Sequence, residues 1–173
     1  PVFAVYTSML TLEWLKNLGG IPAIQEINEM KAKIFYSEID LNPLFKGYAV
    51  KEDRSTMNGT FKLVNEDLKE TFDTMLEEAG INGLNGHRSV GGYRASMYNA
   101  LPVESVKVLV EVMSELIIDK VQGVLQSLLP AMELELFDVQ FRREGHGWVL
   151  RVFIESENGV TLDNCSDVSR ELG

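Results

Sequence analysis

His87-Arg88-Ser89-Val90-Gly91-Gly92-Tyr93-Arg94-Ala95-Ser96-Met97-Tyr98-Asn99 sets two arginines and a histidine within eight residues, around a Gly-Gly pair. Paired glycines let a backbone turn sharply and come close to a ligand. The residues that follow read as a strand through Ala95, Met97 and Tyr98. The stretch is therefore a glycine-punctuated loop running into a strand. An arginine fork grips a carboxylate or phosphate through two parallel hydrogen bonds. A His-Arg pair beside it would hold a second anionic group, so a small ligand with two separated anions is the natural occupant. By physics alone, a charged turn is more often solvated surface than a site.

Working upstream, the pattern is helical and then β-like. Thr7 or Ser8 is read as the cap of a first helix carrying Leu10, Leu12, Trp14 and Leu15, which Gly19-Gly20 stops. Pro22 falls in the first turn of a longer helix, whose apolar positions Ile24, Ile27, Met30, Ile34 and Phe35 keep a 3.6-residue period up to Pro43. From Tyr48 to Val64 the runs are short and β-like, with Thr60, Phe61 and Leu63 the best strand core. Asn65 is read as the cap of a third helix faced by Leu68, Phe72, Met75 and Leu76.

Downstream, Pro102 opens a helix striped by Val106, Leu109, Val110 and Met113. The apolar spacing runs on through Leu116, Ile117, Val121, Val124, Leu125 and Leu128. Either two helices meet near Leu116 or one rod continues. After Pro130 come two strands, Leu134–Arg143 and Trp148–Glu155, joined at Glu144-Gly145-His146-Gly147 as a hairpin. Asp163 or Thr161 is read as the cap of a last helix. The fold class is α+β, with an α-β-β-α unit at the C-terminal end.

Composition narrows the function classes. The net charge of −10 argues against a non-specific nucleic-acid binder, which needs a basic face. Residues 1–116 and 117–173 each carry a net −5, so charge does not separate them. A single cysteine, Cys165, excludes an internal disulfide, and two histidines are too few for a zinc site. No apolar run reaches the ~20 residues of a membrane span. The expected location is cytoplasmic. The chain begins at Pro1 rather than Met, and further sequence upstream is expected.

The order of residues from His87 to Pro102 closely resembles the C-terminal signature of phosphoserine aminotransferases. The likeness extends through Trp14-Leu-Lys, Gly19-Gly20, Ile27-Asn28, Lys31-Ala32 and Arg54-Ser-Thr-Met-Asn58, and covers residues 1–115. It implies a first domain at residues 1–116, the small C-terminal domain of a pyridoxal-phosphate enzyme of the aspartate aminotransferase type (fold type I). Such enzymes are homodimers in serine synthesis. They exchange an amino group between glutamate and 3-phosphohydroxypyruvate, giving phosphoserine and 2-oxoglutarate. The resemblance assigns Arg94 to the substrate α-carboxylate, and His87 and Arg88 to the phosphate or the distal carboxylate of glutamate. It assigns no catalytic, cofactor-binding or metal residue here. The lysine that carries the cofactor lies upstream in the family. Lys16, Lys31, Lys33, Lys46, Lys51, Lys62, Lys69 and Lys107 all read as surface lysines, and Pro1 matches the end of a cofactor-phosphate stretch. Pyridoxal phosphate belongs to the parent family, and binding by this chain alone is not expected.

Residues 117–173 resemble the opening of the ribosome maturation factor RimP. The carriers are Ile118-Asp-Lys-Val121, Leu134-Glu-Leu-Phe-Asp-Val139, Leu150-Arg-Val-Phe-Ile154, Gly159-Val-Thr-Leu-Asp-Asn-Cys165 and Asp167-Val-Ser-Arg-Glu171. That family assists assembly of the small ribosomal subunit and is not enzymatic, and the unit here is a truncated version of it. Arg142, Arg143 and Arg151 read as a solvated hairpin face, Cys165 as a partly buried helix residue, and Trp14, Trp148 and Phe153 as core. Three readings of the chain follow. It is anion-binding aminotransferase material, or a ribosome-assembly module with a passenger, or a chimeric join near residue 116 with no joint function. The third ranks first for the chain as a whole.

Overall fold

The computed structural model of the chain describes residues 2–144 and 147–172. The chain divides into two compact units, Pro1–Val112 and Met113–Gly173.

The first unit opens with α1 (Val2–Leu18) and α2 (Gly20–Leu41). Gly19 and Gly20 adopt positive φ (114° and 79°), which makes the break between the helices. Helix α1 starts well before the residues read as its cap. The Thr7 hydroxyl donates to the Ala4 carbonyl (3.0 Å), Ser8 to Ala4 (2.8 Å) and Thr11 to Thr7 (2.9 Å). Inside a helix these hydroxyls bond backward instead of capping. No residue of α1 is buried, and Trp14, read as core, is 42% exposed with Phe3, Tyr6 and Leu12. A helix apolar on every side needs cover all round, and α2 meets only part of it.

Helix α2 buries Ile24, Asn28, Lys31, Ala32, Phe35, Glu38 and Ile39. The stripe runs 24, 28, 31, 35, so Met30, one position off it, is exposed. This face covers one side of an antiparallel sheet ordered β1 (Phe45–Gly47), β2 (Asn58–Leu63), β3 (Tyr93–Ser96). Strand β1 is only three residues long and was not legible in the sequence. Phe61 pairs with Gly47 on one side and Tyr93 on the other, and Thr60 pairs with Arg94. Alternation sends Gly59, Phe61 and Leu63 inward with Tyr93 and Ala95, leaving Arg94 and Ser96 on the open face. Asn65 accepts from the Asp67 N–H (3.0 Å), capping a short 3-10 turn that leads into α3 (Lys69–Glu78).

The core is a chain of rings. Phe61 meets Phe35 (5.5 Å between centroids), Phe45 (5.9 Å) and Tyr93 (5.2 Å), and Phe72 meets Phe45 (5.1 Å) and Tyr93 (5.2 Å). Each such pair adds ~0.5–1.5 kcal/mol beyond simple burial. Gly59 leaves room for the Phe35 ring, since a Cβ there would lie 2.2 Å from it. Outside the core, Arg54 grips Asp40 with both terminal nitrogens (2.9 and 2.7 Å) and lies over the Tyr36 ring.

Helix α4 (Val103–Leu128) is one continuous helix without a break near Leu116. The second unit continues through a 3-10 turn to β4 (Glu135–Glu144), β5 (Gly147–Glu155) and α5 (Leu162–Glu171). The strands pair antiparallel, with a bulge between Leu136 and Asp138 that turns Phe137 outward to 71% exposure. The tip read as the hairpin turn, Gly145-His146, lies outside the described residues, as do Pro1 and Gly173, and so do the side chains of Arg143 and Trp148. Leu125, Leu129, Leu134, Val139 and Val168 form the core, flanked by Val152 and Ile154. Phe153, read as core, is 40% exposed because it alternates with those two residues. Cys165 is exposed rather than partly buried. Of the two caps considered, Thr161 serves. Its hydroxyl accepts from the Asn164 N–H (3.2 Å), and Asn164 Oδ1 accepts from the Thr161 N–H (2.9 Å).

Candidate functional site

The loop between α3 and β3 is closed on itself by backbone hydrogen bonds. Arg94 N–H donates to the Leu84 carbonyl (2.6 Å) and Gly86 N–H to the Gly92 carbonyl (2.9 Å), while Asn85 and Tyr93 form an antiparallel bridge. At its tip the N–H groups of Val90 and Gly91 both donate to the His87 carbonyl (2.9 Å each). Gly91 and Gly92 take φ of 72° and 64°. A Cβ at Gly92 would lie 2.6 Å from the Phe61 carbonyl, so the return to β3 needs glycine for space as well as for φ.

This closure gathers the three residues singled out in the sequence. His87, Arg88 and Arg94 line one open concavity of about 400 Å³ with Asn85 and Gly86. All three are exposed. The Ser89 N–H donates to His87 Nδ1 (3.3 Å) and the Ser89 hydroxyl lies 2.8 Å from the same nitrogen. With Nδ1 accepting, the ring proton sits on Nε2, which remains a donor. Among the described residues no carboxylate forms an ion pair with Arg88 or Arg94, whereas Arg54, Arg151 and Arg170 are each paired. Two arginine forks and a histidine N–H therefore face one space in a chain of net charge −10. Anion recognition is the chemistry that two arginine forks and a histidine N–H around one space are suited to.

Arg94 is anchored from below by its neighbour. Tyr93 is buried, its ring stacked on Phe61, and its hydroxyl donates to Asp73 Oδ1 (2.8 Å). Burial first, then the Asp73 hydrogen bond and charge, push the phenol well above its ordinary range. Asp73 also pairs with Lys69.

One residue of this neighbourhood is not singled out by the sequence. Lys31, read as a surface lysine, is 0% exposed. Its ammonium donates to the carbonyls of Met97 (3.0 Å), Tyr98 (2.8 Å) and Leu101 (3.2 Å), the turn immediately after β3. The available signal was its place on the Ile24–Asn28–Lys31–Phe35 stripe, where a lysine has to be buried or break the packing. Burial depresses its basicity, the property that makes a lysine an amine nucleophile. Here, however, every N–H is spent on a carbonyl. The other described lysines are exposed. No unpaired, buried lysine among the described residues adjoins the concavity. Among the described residues no cluster of histidine, cysteine or acidic side chains is arranged to hold a metal ion, and no helix is long and apolar enough to cross a membrane.

Residues 1–109 match the family model Aminotransferase class-V, and the chain belongs to that family. Within it, the similarity points to one enzyme. The phosphoserine aminotransferase of Flavobacterium psychrophilum is 68% identical over 116 residues, which cover 67% of this chain and 33% of that protein. That of Porphyromonas gingivalis is 47% identical over 117 residues, 66% and 32%. A solved phosphoserine aminotransferase from Bacillus circulans subsp. alkalophilus superposes with a TM-score of 0.64 at 41% identity, covering 67% of this chain and 32% of that one. A pyridoxal-phosphate-bound one from Trichomonas vaginalis gives 0.60 at 38%, covering 65% and 33%. The chain spans about a third of the length of these relatives. Residues 124–173 match a second family model, the RimP N-terminal domain.

Proposed function

We propose that residues 1–116 are the small C-terminal domain, of fold type I, of a pyridoxal-phosphate-dependent phosphoserine aminotransferase, and that they supply its substrate-anion grip. The reaction is amino transfer between glutamate and 3-phosphohydroxypyruvate in cytoplasmic serine synthesis, by a homodimer. Arg94 takes the α-carboxylate, and His87 with Arg88 takes the phosphate or the distal carboxylate of glutamate. The observation that carries this reading is the concavity in which those three side chains meet with no counter-ion among the described residues. The uncovered apolar helix α1 supports it too, as the surface of a unit built to pack against more protein.

The isolated chain is inactive on this reading, since amino transfer needs an amine at the cofactor. Incubation with pyridoxal phosphate, glutamate and 3-phosphohydroxypyruvate tests it. No phosphoserine above the protein-free background is expected, and turnover that scales with chain concentration overturns it.

The match of residues 124–173 to the RimP N-terminal domain favours a second reading for residues 117–173, a RimP-like α-β-β-α module for small-subunit assembly. On it residues 1–115 are a passenger; the third reading, a chimeric join near residue 116, gives the two segments no joint function. Co-sedimentation of the chain with small ribosomal subunits, lost when β4–β5 surface arginines such as Arg142 become Glu, supports the module. Absence of co-sedimentation at low salt rejects it.

A further inference from the structure

The anion grip hangs on a strand whose exit is pinned from below by a buried charge. Strand β3 ends at Ser96, and the chain then passes the buried Met97 into a turn in which Tyr98, Asn99 and Ala100 face solvent. Within the turn one backbone bond, Leu101 N–H to the Tyr98 carbonyl (2.9 Å), closes it locally, and its place against the rest of the unit is set from outside. Helix α2 sets it. Lys31 caps three of its carbonyls, and Asn28 Nδ2 donates to Asn99 Oδ1 (2.7 Å) from one turn earlier on the same helix face. From the start of β2 and the residue before it, the Met57 carbonyl accepts from the Met97 N–H (2.7 Å) and Asn58 Nδ2 donates to the Tyr98 hydroxyl (3.1 Å). The Leu84 carbonyl fixes the other side of the strand at Arg94 itself.

We infer that Lys31 is a positioning residue of the substrate site: its ammonium, bound to the Met97, Tyr98 and Leu101 carbonyls, fixes the end of β3 and so aims Arg94 at the anion. The inference rests on the reading of Arg94 as the carboxylate grip. Three convergent carbonyls form a small cage of partial negative charge, which a cation with three N–H donors fills and which no carboxylate neutralises in the contacts Lys31 makes. A buried lysine is costly unless its hydrogen bonds are complete. An apolar stripe therefore carries one only where its three bonds do something that packing alone does not. Here they hold in register the backbone three residues beyond Arg94. A bidentate grip depends on its fork geometry, and a misplacement of about 1 Å from a distant change can cost an enzyme on the order of 10²-fold in rate.

The test uses the full chain and O-phospho-L-serine as the probe. Lys31→Met keeps the volume of the side chain and removes the donors. Its affinity for the probe, by calorimetry, is expected to fall at least about tenfold, and the backbone amide of Arg94 to become more mobile by nitrogen relaxation. A core variant destabilised to the same extent at a position facing β1, Ile39→Ala, is expected to keep both. Lys31→Ala is expected to regain affinity with n-propylammonium, which replaces the missing atoms, and not with tetramethylammonium, which has no N–H. Unchanged affinity and unchanged Arg94 order in folded Lys31→Met overturn the inference, as does equal rescue by both cations. Absence of any probe binding by the wild-type chain rejects the reading of the site instead, and the positioning of Arg94 is then decided by its relaxation alone.

Discussion

Replacing Tyr93 by phenylalanine isolates the tie that anchors the site to the core. The ring stays stacked on Phe61 and edge-on to Phe72, so no cavity opens and the only loss is the hydrogen bond to Asp73 (2.8 Å). A hydrogen bond to a charged partner contributes ~1.5–3 kcal/mol. Asp73 retains Lys69 and a side chain 37% exposed, so water takes the vacated position and the lower end applies. The expected cost is therefore ~1–1.5 kcal/mol, a fall of roughly 4–8 °C in the melting temperature of a unit this size. The pH dependence adds a second, independent reading. The folded phenol is held above the value of ~10 it has in an unfolded chain. The folded state is thus favoured in full below pH ~10, and that stabilisation drains away as the pH rises beyond it. The variant ring has no proton to lose. The gap between wild type and Tyr93→Phe in urea unfolding is predicted to be constant from about pH 7 to 9 and to shrink above pH ~10. A gap within the ~0.5 kcal/mol scatter of surface substitutions, or one that widens in alkali, refutes the reasoning.

Other outcomes follow from the same geometry. Gly59→Ala places a methyl 2.2 Å from the fully buried Phe35 ring, an overpacking expected to cost ~1–3 kcal/mol by denaturant unfolding. Asp40 is held below its ordinary value of 3.8, chiefly by its hydrogen bonds from Arg54. Its contribution is present above that value and lost as the pH falls through the folded one, so Asp40→Asn should flatten the acid limb of the stability profile. In the second unit, Thr161→Ala removes the hydroxyl of a reciprocal cap and should lower stability by about 1 kcal/mol, read by far-ultraviolet circular dichroism.

How far the sequence carried the fold can be judged residue by residue. Helix α2 was legible because Ile24 and Phe35 keep helical period, although its buried stripe runs through Asn28 and Lys31 rather than Ile27, Met30 and Ile34, and β2 was legible because Phe61 and Leu63 alternate. The extent of α1 was not, because Thr7 and Ser8 are cap formers whose hydroxyls serve equally well inside a helix by bonding backward. Strand β1 offered three residues and no period. Trp14 and Phe153 look like core by type, yet burial depends on which face a neighbour covers, and that is a tertiary fact. For the site, the spacing of His87, Arg88 and Arg94 around Gly91-Gly92 reads by itself more often as solvated surface, and the family resemblance singled out these three residues, which line one concavity. Lys31 was hidden because charge suggests solvent. Its carbonyl partners lie 66 to 70 positions away, which only the folded chain brings together.

The central claim, that the loop from Leu84 to Arg94 grips a small dianion, is tested most directly by titrating the isotope-labelled chain with O-phospho-L-serine and following its amide signals. Saturable shifts centred on His87, Arg88 and Arg94, abolished in Arg94→Met, are the predicted result. Shifts spread over unrelated lysine-bearing surfaces, or a response that survives Arg94→Met unchanged, would contradict it.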